Sequence, residues 1–384
     1  MGVVKKTSQR LTRLQALQWL ERRSNFEQIP TKLEKKTIFT LSRMAALLKA
    51  LGNPQRQFPS AHLAGTKGKG STAAMLAAIV QSAGYRVGCY LSPHVDRIEE
   101  RISIAGRQIS TADLLVAFRR IMPVVERLDQ LALRKNTTGP TWFEVLTAIA
   151  FIHFEQKGID LAVIETGLGG RLDATNLCSP VVSLITNISL DHTDVLGNTI
   201  RAIAIEKAGI IRRSCPVIST ALHPDAMKVI SKKSTEKRTK SFFLNRDFTV
   251  RSLKTKNPRN PTISNWHSFE IQAPPESPAK TYRIAMAGIH QAENAAAAIM
   301  ATKVLAGKGF QIDKHNIATG LRKTRLPARI EWISYVPPII LDAAHNVASM
   351  DSLVKTLSDQ DSQPKKRILI FAASADKELT AMLR

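Results

Sequence analysis

Residues 64–72, Ala-Gly-Thr-Lys-Gly-Lys-Gly-Ser-Thr, constrain this chain more than any other stretch. They follow an extended-looking apolar run over 58–63 and open an apolar helix expected over 73–82. A strand that turns through glycines into a helix gathers backbone N–H groups around one concavity at the helix N-terminus, an arrangement that holds phosphate. Lys69 would set a cation against the β- and γ-phosphates, and Ser71 or Thr72 would offer a hydroxyl to Mg2+. The common spacing G-x-x-x-x-G-K-[ST] is not met, because Ser71 follows Gly70 where that pattern needs lysine. The lysine comes two positions early, inside Gly68-Lys69-Gly70. The loop is therefore either a false match or a different class of phosphate loop, and the rest of the chain decides.

A chain of 384 residues can bury a large core and is expected to form two domains. No apolar run approaches the roughly 18–20 residues needed to cross a membrane. The basic N-terminus lacks the apolar segment of a secretory signal, and Lys6 breaks the myristoylation pattern, so a cytoplasmic location is expected. Cys89, Cys178 and Cys215 match no metal-ligand spacing and read as small buried hydrophobes in a reducing compartment. The net charge of +24 invites a nucleic-acid partner. Residues 228–260 concentrate eleven Lys and Arg against Glu236 and Asp247, in a pattern not suited to base stacking. A solvated basic face is the preferred reading, one that would also steer polyanions such as ATP.

The first sixty residues read as two helices, with Leu14, Leu17, Trp19 and Leu20 on one face and Leu41, Met44, Leu47, Leu48 and Leu51 on the other. Short apolar strands are expected over 85–91, 161–164, 181–186 and 216–219, alternating with helices over 114–131, 142–156 and 199–208. Ser110 and Asp113 resemble a capping box before the first of these helices. Such alternation predicts an α/β fold with a mostly parallel, doubly wound sheet. Five prolines within 240–285 break the rhythm and suggest a small β-rich region. An alanine-rich helix over 292–306 is expected to close at Gly307. Beyond a basic linker lie two expected strands, 339–341 and 368–371, and a helix near 348–357.

In an open parallel sheet, ligands bind beyond the carboxyl ends of the strands. Ser92 follows the strand at 85–91, Glu165 follows 161–164, and His192 lies just past 181–186. A hydroxyl, a carboxylate and an imidazole beside a phosphate cradle suit Mg2+, which keeps waters and nucleotide oxygens as its other ligands. The bland alternatives are a turn-forming carboxylate and a structural histidine. Lys207 complements a helix C-terminus in its bland reading. In the sharper one it turns toward the metal centre, which its charge forbids unless that charge is removed.

The combined motifs resemble the folylpolyglutamate synthase/dihydrofolate synthase family, a branch of the Mur ligase superfamily. The likeness is carried by GTKGKGST, by SPH with residues 97–101, and by Thr141-Trp142-Phe143-Glu144. It continues through ETGLGGRLDATN, ITNISLDHTDVLG, IAIEKAGI, Gly288-Ile289-His290-Gln291 with Asn294, residues 325–331, and LDAAHN. The resemblance implies a P-loop Mur-ligase-like domain over 1–322, a linker at 323–328, and a Rossmann-like α/β glutamate-ligase domain over 329–384. It implies that Gly65, Thr66, Lys67, Gly68, Lys69, Gly70, Ser71 and Thr72 hold the ATP phosphates, with Asn294, Arg329, Asp342 and His345 at further nucleotide-binding positions. Ser92, Glu165 and His192 resemble the family's Mg2+ ligands, and Lys207 the lysine that is carbamylated in this superfamily, which turns a cation into an anion able to face Mg2+. Phe143, Glu144, Arg171 and Asp173 lie in segments associated with the pterin substrate, and His345 is a candidate to contact phosphate or orient glutamate.

The implied reaction is ATP-dependent amide formation: a dihydropteroate or folate carboxylate becomes an acyl phosphate, which L-glutamate then displaces. Lys69, Lys207 and His345 would carry the chemistry in a cytoplasmic monomer that needs neither nucleic acid nor membrane. Three departures stand out. Ala328 and Ala343 replace usual glycines, Val347 stands where proline is common, and the chain ends at Arg384, before several elements that the family's second domain contains. The last raises the alternative of a truncated homologue that binds nucleotide but is catalytically impaired. A peptidoglycan-type amino-acid ligase is disfavoured by SPH and TWFE, and a basic nucleic-acid-associated NTPase rests on charge alone.

Overall fold

The computed structural model describes residues 11–26, 39–253, 267–358, 366–373 and 379–383. The first ten residues, the end of the basic stretch (254–260), residues 375–377 and Arg384 lie outside the described residues. The chain divides into two compact units, each built from several segments. One comprises Met1–Ala64, Arg86–Val181 and Leu190–Ile210; the other comprises Gly65–Tyr85, Val182–Ser189 and Ile211–Arg384. This partition runs through the family-based 1–322 domain, whose boundary at 323–328 stays a proposal.

In the first unit, β1 (Ser60–Ala64), β2 (Val87–Tyr90), β3 (Ile102–Ile104), β4 (Arg107–Gln108) and β5 (Leu161–Glu165) form a sheet in the order β4-β3-β2-β5-β1. β5 runs parallel to both neighbours, with Leu63 of β1 opposite Glu165 and Tyr90 of β2 opposite Ile164. β3 and β4 return antiparallel at the edge. Every residue of β1, β2 and β5 is buried, as expected for parallel strands covered on both faces.

The helix Trp142–Lys157 is apolar around most of its circumference and is buried accordingly. Thr141 and Glu144 cap its start, and Gly158, left-handed at φ 56°, ends it. Its Phe154 lies so close to Gly88 of β2 that a Cβ there would fall 2.8 Å from the ring. Helix Thr111–Arg134 begins, as expected, with the Ser110 hydroxyl accepting from the Asp113 N–H.

The second unit contains the parallel trio β6 (Pro180–Ile185, its first two residues in the first unit), β7 (Val217–Ser219) and β8 (Ser241–Phe243). Helix Lys69–Ser82 packs against helices Ile289–Ala306 and Lys314–Lys323. Contact with the latter is backbone to backbone, since a Cβ on Gly320 would stand 2.4 Å from Ile79 Cα. Within the proline-rich stretch, β9 (Thr249–Leu253), β10 (His267–Gln272) and β11 (Lys280–Ile284) make an antiparallel sheet in the order β11-β10-β9. β12 (Glu331–Tyr335) and β13 (Pro338–Leu341) form a hairpin, and helices Val347–Ser358 and Leu379–Met382 follow. All three cysteines are buried, and none is in a disulfide. Among the described residues, no helix is long and apolar enough to cross a membrane.

Gly307 caps helix Ile289–Ala306 as expected, in a right-handed conformation (φ −66°), and the left-handed reversal follows at Gly309 (φ 96°), where the Phe310 N–H reaches back to Leu305 O at 3.2 Å. One local expectation is corrected. The strand expected over 368–371 is not formed, and Ile368, Leu369 and Ile370 are 80%, 62% and 95% exposed. An apolar run becomes a strand only when another strand takes its backbone hydrogen bonds, and none among the described residues pairs with it.

Two groups make the first unit acid-sensitive. The guanidinium of Arg13 grips buried Glu99 through Nε–Oε1 (2.6 Å) and Nη2–Oε2 (2.9 Å), holding its pKa down at about 2 against an ordinary 4.5. Burial pushes His153 down to about 4 from 6.5. Both pKa values are depressed by folding, so their stabilisation is complete above pH 6.5 and is lost as pH falls. The loss should follow His153 between 6.5 and 4, then Glu99 between 4.5 and 2, each at up to about 1.4 kcal/mol per pH unit. Urea midpoints across pH 8 to 2 check this, and in His153→Phe the upper part of the slope should flatten.

Candidate phosphate loop and metal-type site

The phosphate loop leaves β1 at Gly65 and closes on itself within the second unit. Gly65 passes so close to Thr186 that a Cβ would lie 1.8 Å from its Oγ1. The Thr186 hydroxyl in turn donates to Lys67 O at 2.6 Å. The Thr66 N–H donates to Asn187 O (2.7 Å), and its hydroxyl donates to Ser189 O (3.1 Å) while accepting from the Ser189 N–H (3.1 Å). Gly68, left-handed at φ 85°, is the N-cap of helix Lys69–Ser82, and a Cβ there would stand 2.3 Å from Asn294 Oδ1. The first intrahelical bond runs from the Thr72 N–H to Gly68 O at 2.9 Å. The amides before it are those a helix N-terminus turns toward an anion.

The early lysine is thereby explained. Gly68-Lys69 forms the glycine–lysine step at the head of the helix, and Gly70 and Ser71 already belong to its first turn. The Lys69 ammonium folds back to Gly65 O at 3.1 Å, over the loop. Ser71 is buried, and the Thr72 hydroxyl is buried without a hydrogen-bond partner among the described residues. Glycines without room for a Cβ, a lysine over the loop and a buried hydroxyl fit a nucleotide triphosphate.

Asn294, on helix Ile289–Ala306, meets the loop at Gly68, and its Nδ2 donates to Gln291 Oε1 at 3.1 Å. The other nucleotide-type residues of the second unit sit around β12 and β13. Asp342 Oδ2 accepts from the Ile330 N–H and Oδ1 from the Ala344 N–H, each at 2.8 Å. Asp342 thus ties the strand entry beside Arg329 to the turn that carries His345. The His345 Nδ1–H donates to Ala343 O at 2.9 Å, and the ring is exposed. Burial lowers the pKa of His290, with Asp342 opposing that shift and Arg329 adding to it.

Ala328 is left-handed (φ 52°) and buried. An alanine there carries about 1–2 kcal/mol of local strain that glycine would not. Ala328→Gly, which trades that strain for one lost methyl, is expected to be neutral or stabilising by up to about 1 kcal/mol. Ala328→Val should cost at least about 2 kcal/mol, because a branched side chain fits neither the backbone angle nor the space. A Val variant with an unshifted urea midpoint would contradict this account.

The metal-type residues belong to the first unit. Ser92 follows β2, and its N–H donates to Oε2 of Glu165, the last residue of β5, at 3.1 Å. Glu165 is buried; burial, with the Glu165 carboxylate adding to it, pushes the Cys89 thiol up to about 12. His192 is left-handed (φ 48°) at the start of helix Thr193–Leu196, with Nε2 4.0 Å from Asp191 Oδ1. Among the described residues no cluster of three His, Cys, Asp or Glu side chains gathers. A divalent ion here would have only one carboxylate, one imidazole and the Ser92 hydroxyl from the protein and would take the rest of its shell from water, which suits Mg2+ better than Zn2+. Lys207 is 4% exposed, near the end of helix Ile200–Ala208.

The segments expected to face the pterin are also in the first unit. Phe143 is half-buried, 6.1 Å from the Tyr90 ring, and so close to Gly167 that a Cβ there would lie 2.6 Å from its Cζ. Glu144 accepts from the Thr141 N–H (2.7 Å) and from Arg43 Nε (3.2 Å), so it caps its helix and pairs with a cation. Asp173 organises the glycine-rich turn, accepting from the N–H groups of Leu168 and Thr175 at 2.9 Å each and from the Thr175 hydroxyl. That hydroxyl accepts in turn from His62 Nε2 at 2.8 Å. Burial raises the Asp173 pKa despite these donors. Arg171 is paired with Glu206. Sequence reading missed Thr186, Asn187 and Ser189 as loop supports and Glu206 as the partner of Arg171. Their placement after an apolar strand, and beside Lys207, was the available signal.

Residues 63–302, from the end of β1 through most of helix Ile289–Ala306, match the Mur ligase middle domain. Folylpolyglutamate synthase of Lacticaseibacillus casei is 38% identical over 341 residues, covering 88% of this chain and 77% of that protein. The chain belongs to the folylpolyglutamate synthase/dihydrofolate synthase family of Mur ligases. The dihydrofolate synthase/folylpolyglutamate synthase of Bacillus subtilis is 35% identical, over 90% of this chain and 77% of its own length. Among solved structures, an FPGS–AMPPCP–folate complex superposes with a TM-score of 0.82 at 34% identity, covering 92% of this chain and 82% of that one. Folylpolyglutamate synthase of Mycobacterium tuberculosis, complexed with ADP and AMPPCP, gives 0.77 at 34% identity, over 90% and 73%. Members of the family are ATP-dependent ligases, and the mixed α/β fold with a mostly parallel sheet is theirs.

Proposed function

We propose that this chain joins L-glutamate to the carboxylate of dihydropteroate, of a reduced folate, or of both, at the expense of ATP and through an acyl phosphate. The observation that carries the proposal is the phosphate loop, closed by Thr186 and Asn294 onto glycines that have no room for a side chain. The identity to folate ligases, and a fold shared with an FPGS–AMPPCP–folate complex, support the choice of acceptor.

A carboxylate oxygen of the pterin substrate attacks the γ-phosphorus, and the bond to the ADP oxygen breaks. The amine of glutamate then attacks the acyl carbon, phosphate leaves with the C–O bond electrons, and the amine proton passes to solvent. Loop amides, Lys69 and Arg329 neutralise the charge that spreads over the transferred phosphoryl group. Mg2+, held by Ser92, Glu165 and His192, would supply further positive charge to the phosphate oxygens. Lys207, after its ammonium proton passes to solvent, reacts with CO2 as the neutral amine, its nitrogen bonding to the carbon as a second proton leaves, and becomes an anionic carbamate suited to a cationic centre. Phe143 borders the pterin, and His345 either orients glutamate or contacts the phosphate of the acyl phosphate.

Inorganic phosphate release should require ATP, L-glutamate and either dihydropteroate or a reduced folate together, and comparing the two acceptors assigns the activity. ATP binding without release at saturating substrates would overturn the ligase assignment in favour of a nucleotide-binding homologue.

A further inference from the structure

The glycine-rich turn is bound to the end of the Lys207 helix by three separate means. The Arg171 N–H donates to Glu206 O at 2.8 Å. The Arg171 guanidinium spans the Glu206 carboxylate, with Nη2–Oε1 2.9 Å, Nε–Oε1 3.1 Å and Nε–Oε2 3.2 Å. Asn176 Nδ2 donates to Arg171 O (3.0 Å) and to Gly209 O (3.2 Å), closing the clamp from the other side. The two backbones touch with no room for side chains: a Cβ on Gly209 would stand 2.4 Å from Arg171 Cα, and one on Gly170 would stand 2.9 Å from Glu206 O. Buried Lys207 is the residue after Glu206.

We propose that Arg171 is a positioning residue for Lys207: its backbone pins the end of that helix, and its guanidinium neutralises the Glu206 carboxylate beside the lysine, which is what lets Lys207 be carried as a carbamate. This rests on the carbamylated Lys207 of the proposed function. It replaces the sequence-based expectation that Arg171 touches the pterin. An unpaired carboxylate next to Lys207 favours its ammonium form and repels a carbamate, whereas a carboxylate already paired with a guanidinium does neither. The side chains of adjacent helical residues diverge, so Glu206 acts through its charge and through the helix end, not by contact with the Lys207 head group.

The two roles separate in a charge cycle. The purified full chain is equilibrated with 13C-bicarbonate, and the carbamate carbon, assigned by its absence from Lys207→Ala, is measured by NMR alongside turnover. Arg171→Gln should lower carbamate occupancy at least fivefold, with turnover recovering as bicarbonate is raised. Arg171→Gln/Glu206→Gln should return occupancy to within about twofold of the parent, because the offending charge is gone. Arg171→Lys, which keeps the charge but not the fork, should fall between them. Far-UV circular dichroism compares the folded content of the variants. Full occupancy in Arg171→Gln with a raised KM for the pterin substrate would overturn the proposal and return Arg171 to substrate binding. A double variant as depleted as the single one would also overturn it, leaving only a mechanical clamp. Absence of any carbamate from the parent protein would instead overturn the reading of Lys207 itself.

Discussion

Gly65→Ala is expected to weaken ATP binding at least 100-fold and to bring phosphate release to background. The added methyl would sit 1.8 Å from Thr186 Oγ1, well inside any allowed contact. Thr186 cannot swing away without breaking its 2.6 Å bond to Lys67 O, which holds the far side of the same loop. The loop must open, its amides lose their common focus, and a misplacement of about 1 Å at a phosphate costs on the order of 100-fold. Gly84→Ala is the matched control. Gly84 too has a positive φ (91°, against 155° at Gly65), but a Cβ there meets nothing within 4 Å. It should lose about 1 kcal/mol of stability to backbone strain and retain ATP affinity. Calorimetric titration of both variants with ATP, beside their urea midpoints, separates a damaged cradle from a damaged fold. Equal affinities in the two would show that the Gly65–Thr186 approach is not what shapes the loop.

Lys207→Ala should lower kcat by roughly 100- to 1,000-fold, the usual cost of removing one preorganised charged group from a phosphoryl-transfer site. ATP affinity should change far less, because the loop that grips the nucleotide has its own supports in Thr186, Asn187 and Asn294. Native mass spectrometry under bicarbonate should show the parent, but not the variant, gaining one carbamate. A variant with more than a tenth of the parent's kcat would remove Lys207 from the chemistry.

Much of this was legible in the chain because the signals are local. Apolar runs that alternate with helical stretches marked β2, β5, β6 and β7 within a few residues of their observed ends. Capping residues such as Ser110 and Thr199 stand where their helices begin. The phosphate loop was readable because glycines at a strand–helix junction have few other uses. The illegible features depend on partners distant in sequence. Residues 368–371 read as a strand on composition, but pairing among the described residues does not occur. Glu144, Arg171 and Asp173 lie in segments that the family resemblance associates with the pterin, and nothing in the chain names their bonding partners. Their bonds to Arg43, Glu206 and Thr175 emerge only once the chain is folded.

The strand–glycine–helix order around 64–72, with its lysine at 69, was determined by sequence alone, because turn geometry and helix nucleation depend on neighbouring residues. So were the family and the polar residues that follow each strand. Only the tertiary structure decided why that lysine stands early: the helix begins at Lys69 itself, with Gly68 filling the left-handed cap against Asn294, 226 positions further along the chain. A cradle that has no room for a Cβ is defined by atoms on both of its sides, and the chain writes only one side at a time.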